Sequence, residues 1–283
     1  MSKVKILTTL LLFMAVMCSA LTPWGVPNYV DIAAYAVNDY SQYRIHNNPR
    51  LYDLSRSIKH KNAFINQLQN KLNAKYPNVS STLRYNRENS TATRANFLND
   101  NTNLSEFVFF SGHGDYNSLY LYESVLQATA PNVTKTFGDY TRWVIFDACL
   151  TLNASPLYLA SWLFDGAHVI LGNRSITYEF PNSSNPAGYS ENIFNVFTTR
   201  FVTNGEAIWS SYYNAVRETV YIVGGYGVEP AIAFLAGNAD NGKAVNFSEE
   251  KLQNVYNGPF NYKYGATNLT INWRSQTYGK PEY

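Results

Sequence analysis

Two short apolar segments of the chain each end at a reactive side chain. One runs from Glu106 through four apolar residues and Ser-Gly to His113 and Gly114, and the other runs from Arg142 to Cys149. If the segments are neighbouring parallel strands, the imidazole and the thiol emerge side by side at the carboxyl edge of the sheet, where open α/β sheets place their chemistry. A thiol beside an imidazole is a nucleophile with its base, so the pattern predicts thiol chemistry.

The residues around this pair suit attack on a carbonyl group. A free thiol has a pKa of roughly 8.5 and is mostly protonated at neutral pH, and His113 can take its proton because imidazole titrates near physiological pH. Gly112 and Gly114 flank the histidine and let a substrate backbone come close. The backbone N–H groups of Gly114 and Cys149 are the candidate oxyanion hole, in which losing one donor typically costs about 3 kcal/mol of transition-state stabilisation. An activated Cys149 is expected to titrate below pH 8 and to react faster than a free thiol.

The first twenty residues have the pattern of a secretory signal peptide. Two lysines precede an apolar stretch from Leu7 to Met17, and the small residues Cys18 to Ala20 suit a cleavage site. We therefore expect a secreted or periplasmic protein with no stable membrane span, because the apolar stretch is too short for one. A lipid anchor on Cys18 is the alternative. Removing the signal leaves Cys149 as a lone cysteine, which must be inert, paired with another chain or reactive.

Length and charge restrict the classes of function. The chain has 283 residues and a formal net charge of +2, and this charge falls to about zero once the two lysines of the signal are removed. A near-neutral chain argues against a nucleic-acid partner, which needs a basic face. We expect a signal peptide over residues 1–20 and a single domain over residues 21–283, with its core near residues 105–237 and an N-terminal part and C-terminal tail of unassigned role.

Hydrophobic patterning predicts an α/β fold. Strands are expected over residues 29–37, 81–85, 107–110, 143–146, 168–171 and 231–236, and residues 119–122 are expected to form an edge strand or hairpin. Helices are expected over residues 59–74, 91–98, 155–163, 190–202 and 206–220. Alternating strands and helices favour a mostly parallel sheet with helices on both faces. The tail from Gly237 is polar and rich in asparagine, and its pattern places no element.

The two motifs resemble those of the caspase-like (clan CD) cysteine peptidases. The segment from Phe109 to Gly114 is similar to the family's apolar block with His-Gly, and the segment from Ile145 to Leu150 is similar to its block with Ala-Cys. The resemblance is nearest to the clostripain-like and CHAT types and covers roughly residues 105–237. Three further segments follow in the order of the CHAT layout: residues 160–167, 169–173 and 204–207.

This resemblance implies a caspase-like sheet and hydrolysis of a peptide or protein substrate through an acyl-enzyme. It implies that Cys149 and His113 are the catalytic dyad, with the N–H of Gly114 in the oxyanion hole, and that a pocket selects the residue before the cut. The implied reaction needs no organic cofactor; some similar enzymes use calcium structurally, but the sequence contains no recognisable calcium loop. Asp115 and Asp147 lie near the site in sequence and are candidates for binding a basic side chain, as is Asp139. Alternatively, Asp147 holds its loop together through backbone N–H groups.

Other interpretations remain open. Folds host unrelated functions, so the chain could be a non-catalytic secreted binding module that keeps this fold. A zinc site built on Cys149, His113 and His168 lacks a fourth ligand and the usual close spacing. His168 begins a buried strand and is expected to be structural. His46 and His60 lie in polar segments and give no indication of function.

Overall fold

A computed structural model describes the chain over residues 24–42, 52–100, 104–116, 118–127, 137, 141–153, 167–180, 190–238, 244–256 and 269–283. The expected signal peptide and the expected helix over residues 155–163 lie outside the described residues, as do Asp139 and His46. Within the described ranges, no helix combines the length and apolarity that crossing a membrane requires.

The strands are short and mostly buried. They are β1 (Trp24–Gly25), β2 (Tyr29–Ala36), β3 (Ser80–Glu88), β4 (Phe107–Ser111), β5 (Gly114–Asp115), β6 (Ser118–Tyr120), β7 (Val125–Gln127), β8 (Trp143–Asp147), β9 (Val169–Asn173), β10 (Pro230–Asn238), β11 (Ala244–Asn246), β12 (Val255–Tyr256) and β13 (Leu269–Ser275). The helices are α1 (Ser57–Lys75), α2 (Arg94–Asn99), α3 (Asn192–Thr198) and α4 (Ile208–Val216). Wider π-helical turns extend α3 over Thr199–Thr203 and α4 over Arg217–Val223.

The main sheet has the order β11-β10-β9-β8-β4-β2-β3, and β13 also pairs with β10. Strands β3, β2, β4, β8 and β9 run parallel, whereas β10 is antiparallel to β9, β11 and β13. The predicted α/β fold with a mostly parallel sheet is thereby confirmed. The polar tail, which the sequence pattern left unplaced, adds β11 and β13 to the sheet because β10 offers it free backbone groups.

Helices cover both faces of the sheet. On one face, α1 packs against β2, β3 and β4 and against α3, which in turn contacts α4. Phe64 of α1 stacks on Phe109 of β4 with ring centroids 4.6 Å apart. On the other face, Phe97 of α2 packs against Tyr35 of β2 at 4.8 Å. Each such buried side chain contributes about 1.5–3 kcal/mol relative to an exposed one.

The register between β4 and β8 fixes the position of the two motifs. Phe107 pairs with Trp143, and the pairing continues without a shift to Ser111 and Asp147. A parallel pair in register brings its carboxyl ends to the same edge of the sheet. The segments that follow β4 and β8 therefore leave the sheet side by side.

A buried carboxyl group lies at the opposite edge of the sheet, and it gives a testable prediction. Glu106 is fully buried and accepts a 2.6 Å hydrogen bond from the N–H of Asp31. Burial raises the pKa of Glu106 from 4.5 to about 7. The folded state therefore holds this proton more tightly than the unfolded state. The stability that results is fully present below pH 4.5 and is lost as the pH rises through 7, by an amount of about 3 kcal/mol.

We expect the Glu106→Gln variant to lose this pH dependence and to be more stable than the wild type at pH 8. Urea unfolding at pH 4.5 and pH 8 measures the difference. Glu249→Gln is the control, because Glu249 is about half exposed and its substitution should leave the pH slope unchanged. An unchanged pH slope in Glu106→Gln would contradict the assignment.

Candidate active site

The ends of β4 and β8 are joined by a side-chain hydrogen bond. Ser111 and Asp147 are register partners, and the Ser111 hydroxyl donates to Asp147 Oδ2 at 2.7 Å. His113 follows Ser111 by two residues, and Cys149 follows Asp147 by two residues. The two loops that carry His113 and Cys149 thus begin next to the hydrogen-bonded pair Ser111 and Asp147, which we call the anchor.

Beyond this anchor, a pocket of about 430 Å³ opens at the carboxyl edge of the sheet. His113 and Cys149 both line it, as the sequence pattern predicts. The remaining wall residues come from the same two motifs and from three other parts of the chain: Tyr52, Asp53, Leu54, Ser55, Ser57, His60, Ser111, Gly112, Asp147, Ile176, Thr177, Tyr178, Glu179 and Glu282.

The imidazole of His113 is held between two tyrosine rings. Its ring centroid lies 4.6 Å from that of Tyr40 and 5.1 Å from that of Tyr52. The backbone N–H of His113 donates to the hydroxyl of Tyr40 at 2.8 Å. Nε2 of His113 lies 2.8 Å from the backbone carbonyl of Tyr52, which only accepts, so Nε2 carries the proton. Burial lowers the pKa of His113, and the neutral ring therefore keeps a lone pair on Nδ1.

The thiol of Cys149 is partly buried and contacts the backbone of Thr177. Its Sγ accepts a hydrogen bond from the N–H of Thr177 at 3.4 Å and lies 3.6 Å from the carbonyl oxygen of the same residue. Burial, together with the charges of Asp147, Glu179 and Asp115, raises the pKa of Cys149 to about 11, although the Thr177 hydrogen bond acts to lower it. The resting thiol is therefore protonated, which differs from the expected titration below pH 8.

The chain turns sharply after Cys149. Leu150 has a φ of 56°, in the left-handed region that costs an ordinary residue roughly 1–2 kcal/mol. Backbone hydrogen bonds hold the turn: the N–H of Leu150 donates to Ser175 at 3.1 Å, and that of Leu152 donates to Asn173 at 3.1 Å. Strain that surrounding contacts maintain is typical of functional sites. The turn keeps Cys149 at the rim of the pocket.

Gly114 brings the two motifs into direct contact. A Cβ added at this position would lie 2.5 Å from the carbonyl oxygen of Cys149 and 2.9 Å from the Cβ of Ala148. Only glycine permits so close an approach. Gly114 and Cys149, the residues predicted to form the oxyanion hole, are therefore neighbours in space.

Asp147 and Asp115, the two aspartates predicted to bind a basic side chain, lie in different surroundings. Asp147 lines the pocket, but its Oδ2 accepts from Ser111 and lies 2.6 Å from Nδ1 of His60. Its partners are thus side chains rather than the backbone N–H groups expected for a loop-holding aspartate. Asp115 lies on β5, accepts from the N–H of Tyr116 at 2.7 Å, and is not among the residues that line the pocket.

Sequence reasoning missed several wall residues. His60, whose polar segment gave no indication of function, lies in the first turn of α1 and lines the pocket. Glu179 accepts from the N–H groups of Ser55 and Arg56 at 2.8 and 2.9 Å, just before α1 begins. Only the spacing of His60 within the amphipathic helix could have indicated its burial. Glu179 and Glu282 belong to no recognisable sequence motif that could have indicated their position in the pocket.

Two further sequence expectations concern structural and metal sites. His168 is buried, pairs with Glu250 at 2.9 Å and stacks on Phe247 at 4.0 Å, so its expected structural role is confirmed. Across the described ranges, no three His, Cys, Asp or Glu side chains converge as a metal ion would require.

Comparison with known proteins gives one family and several distant structures. A family model described as a domain of unknown function (DUF6345) matches residues 37–226. No curated protein matches the sequence. The Arg-specific cysteine proteinase gingipain R (RgpB) has 13% identity and a TM-score of 0.46, over 87% of this chain and 66% of that chain. This chain thus spans slightly less than two thirds of the gingipain R chain.

Two more solved structures are similar at comparable distance. A complex of the Porphyromonas gingivalis RgpB pro- and mature domains has 12% identity and a TM-score of 0.43, over 89% of this chain and 68% of that chain. A structure described only as a protease has 10% identity and a TM-score of 0.40, over 88% of this chain and 68% of that chain.

The protonation state of Cys149 predicts slow reaction with iodoacetamide. At pH 8, a thiol with a pKa of about 11 holds about 100-fold less thiolate than one with the ordinary value of 9. Peptide mapping of Cys149 should show a correspondingly slower rate than free N-acetylcysteine, still rising with pH above 9. A rate that reaches its plateau below pH 8 would contradict this.

The contact at Gly114 predicts that Gly114→Ala disturbs both motifs. The added methyl group meets backbone that must move, so we expect a loss of about 2 kcal/mol in unfolding free energy and an altered labelling rate of Cys149. Gly225→Ala is the control, because Gly225 has a φ of +74° and open space at its Cβ. It should cost about 1 kcal/mol from backbone strain alone and leave labelling unchanged. Equal behaviour of the two variants would argue against the contact.

Proposed function

The chain belongs to the DUF6345 family, a family of unknown function. We propose, from the geometry of the pocket, that this member is a cysteine peptidase. The observation that carries the proposal is the placement of His113 and Cys149 on the walls of one pocket. The glycine contact between their loops and the strained turn after Cys149 support it. The proposed substrate is an exposed peptide segment, and the nucleophile is the thiol of Cys149.

The proposed mechanism begins from a neutral pair. A full proton transfer from a thiol with a pKa near 11 to an imidazole with a pKa below 6.5 would cost at least about 6 kcal/mol. His113 therefore acts as a general base in step with attack, and no thiolate forms beforehand. The Tyr52 carbonyl fixes the tautomer that leaves Nδ1 free to accept the proton.

Attack forms a bond between Sγ and the carbonyl carbon of the substrate, while the thiol proton moves to His113. The N–H groups of Gly114 and Cys149 are proposed to bind the resulting oxyanion. His113 then donates its proton to the leaving amine as the C–N bond breaks, giving a thioester. Water attacks the thioester with His113 again as the base, and the carboxylic acid and the thiol are released. The substrate must displace Thr177 from Sγ for the first step to occur.

Charge in the pocket supports a preference for a cationic side chain before the cut. Four carboxylates line the pocket, and no lysine or arginine is among its lining residues. Asp147 is paired with His60. The other carboxylates of the wall are those of Asp53 and Glu179, which accept hydrogen bonds from backbone N–H groups, and that of Glu282. We therefore assign the selective role to these three residues rather than to Asp115 or Asp147.

Export of the protein is also proposed, on the pattern of the first twenty residues. The near-neutral charge of the remaining chain makes a nucleic-acid partner a poor candidate. The clostripain-like and CHAT subtypes remain predictions from the two motifs.

A second function is favoured by one observation. The backbone of Thr177 covers the thiol, and the pKa of Cys149 lies at about 11. Both facts suit a non-catalytic module that binds cationic peptides in the same pocket.

A peptide library tests both functions. The wild type should cleave after arginine or lysine, Cys149→Ala should abolish cleavage, and His113→Gln should lower kcat/KM about 10²–10⁴-fold. Unfolding midpoints of the variants provide the control for folding. Cleavage that survives in Cys149→Ala would remove the thiol from the mechanism. Equal binding of cationic peptides by wild type and Cys149→Ala, with no cleavage by either, would establish the binding module.

A further inference from the structure

His60 is a buried histidine in the pocket that the proposed mechanism does not use. Its side chain is 5% exposed and lies on the first turn of α1. Nδ1 lies 2.6 Å from Asp147 Oδ2, and Nε2 lies 2.7 Å from the hydroxyl oxygen of Ser190. Both ring nitrogens are therefore engaged, and His60 cannot itself exchange protons with a substrate while these bonds are kept.

The groups that face His60 favour its charged form. Burial opposes the charge, but the negative charge and hydrogen bond of Asp147, together with the charges of Glu179 and Glu191, outweigh it and raise the pKa of His60. Glu191 is also paired with Arg56, whose Nε donates to it at 2.7 Å. On the remaining side, the ring of Phe194 meets His60 edge-on at 5.8 Å. The imidazolium then donates to both Asp147 and Ser190.

Asp147 connects His60 to the thiol. Its Oδ2 also accepts from Ser111, so one carboxylate oxygen joins α1 to the ends of β4 and β8. Asp147 precedes Cys149 by two residues, and its negative charge disfavours the thiolate. An unpaired carboxylate at this position would oppose the negative charge that develops on sulfur during attack.

We propose that His60 is a positioning residue for the proposed thiol chemistry: its imidazolium holds Asp147 against the strand ends and offsets its charge, so that Asp147 opposes negative charge on Cys149 far less than an unpaired carboxylate would and does not bind a cationic substrate group. This inference rests on the proposed function for its biological meaning. Its physical content, the effect of His60 on the thiol, does not depend on turnover.

The test is the rate of Cys149 alkylation by iodoacetamide, measured by peptide mapping between pH 7 and pH 10. In His60→Gln, Asp147 keeps its charge without a cationic partner, and the rate at a given pH should fall about tenfold, as for a rise of one unit in the thiol pKa. In the double variant His60→Gln with Asp147→Asn, the rate should return to within about threefold of the wild type. Ser190→Ala is the matched control, because it removes one bond to His60 but leaves Asp147 paired, and its rate should stay at the wild-type value.

Asp147→Asn alone keeps the proposal falsifiable if His60→Gln does not fold. If His60 already neutralises Asp147, removing the carboxylate leaves His60 neutral and the labelling rate nearly unchanged. An increase of about tenfold in Asp147→Asn would show that the carboxylate acts unopposed in the wild type, and it would overturn the proposal. A double variant that labels as slowly as His60→Gln would also overturn it. Because labelling needs no peptide, absence of cleavage in the library would count against the proposed function alone.

Discussion

The site depends on the unshifted parallel pairing of β4 with β8. This register sets Ser111 opposite Asp147 and thereby starts two loops from adjacent points, one carrying His113 and the other Cys149. A slip of one residue would turn each side chain of a strand to the other face of the sheet. The aromatic contacts along the pair, such as Phe107 on Trp143 at 4.6 Å, make such a slip costly because both faces are buried. The packing of the core and the geometry of the site therefore both depend on the register between β4 and β8.

Around this anchor, the pocket combines an uncharged reactive pair with charged walls. His113 and Cys149 are both buried enough to be neutral at pH 7, whereas the carboxylates of Asp53, Glu179 and Glu282 come from distant parts of the chain. Glu179 meets backbone N–H groups just before α1, where a carboxylate is favoured by the helix dipole. The arrangement separates His113 and Cys149, which follow strands of the sheet, from Asp53, Glu179 and Glu282, which other segments bring to the wall.

The features predicted correctly from the sequence are those that hydrophobic periodicity and short local motifs determine. Buried strands such as β4 and β8 were located because their apolar runs are continuous, and the placement of His113 and Cys149 on one pocket was predicted because they follow those runs. Contacts between distant segments were not predicted: His60 reaches Asp147 only through the packing of α1, and Glu282 reaches the pocket only because the tail folds back. The raised pKa of the Cys149 thiol was also not predicted, because it depends on burial within the folded chain, which the residues near Cys149 in sequence do not show. The tail strands were missed because polar edge strands lack a strong alternation.

The walls of the pocket come from segments near both ends of the described chain, from Tyr52 to Glu282. The cavity therefore exists only while those segments are held together, and unfolding destroys it as a whole. Any molecule that occupies it must stabilise the native state by mass action, by about 2.7 kcal/mol at a hundred times its dissociation constant. Thermal melting can thus report occupancy for small compounds of any chemistry, whether or not the protein turns them over.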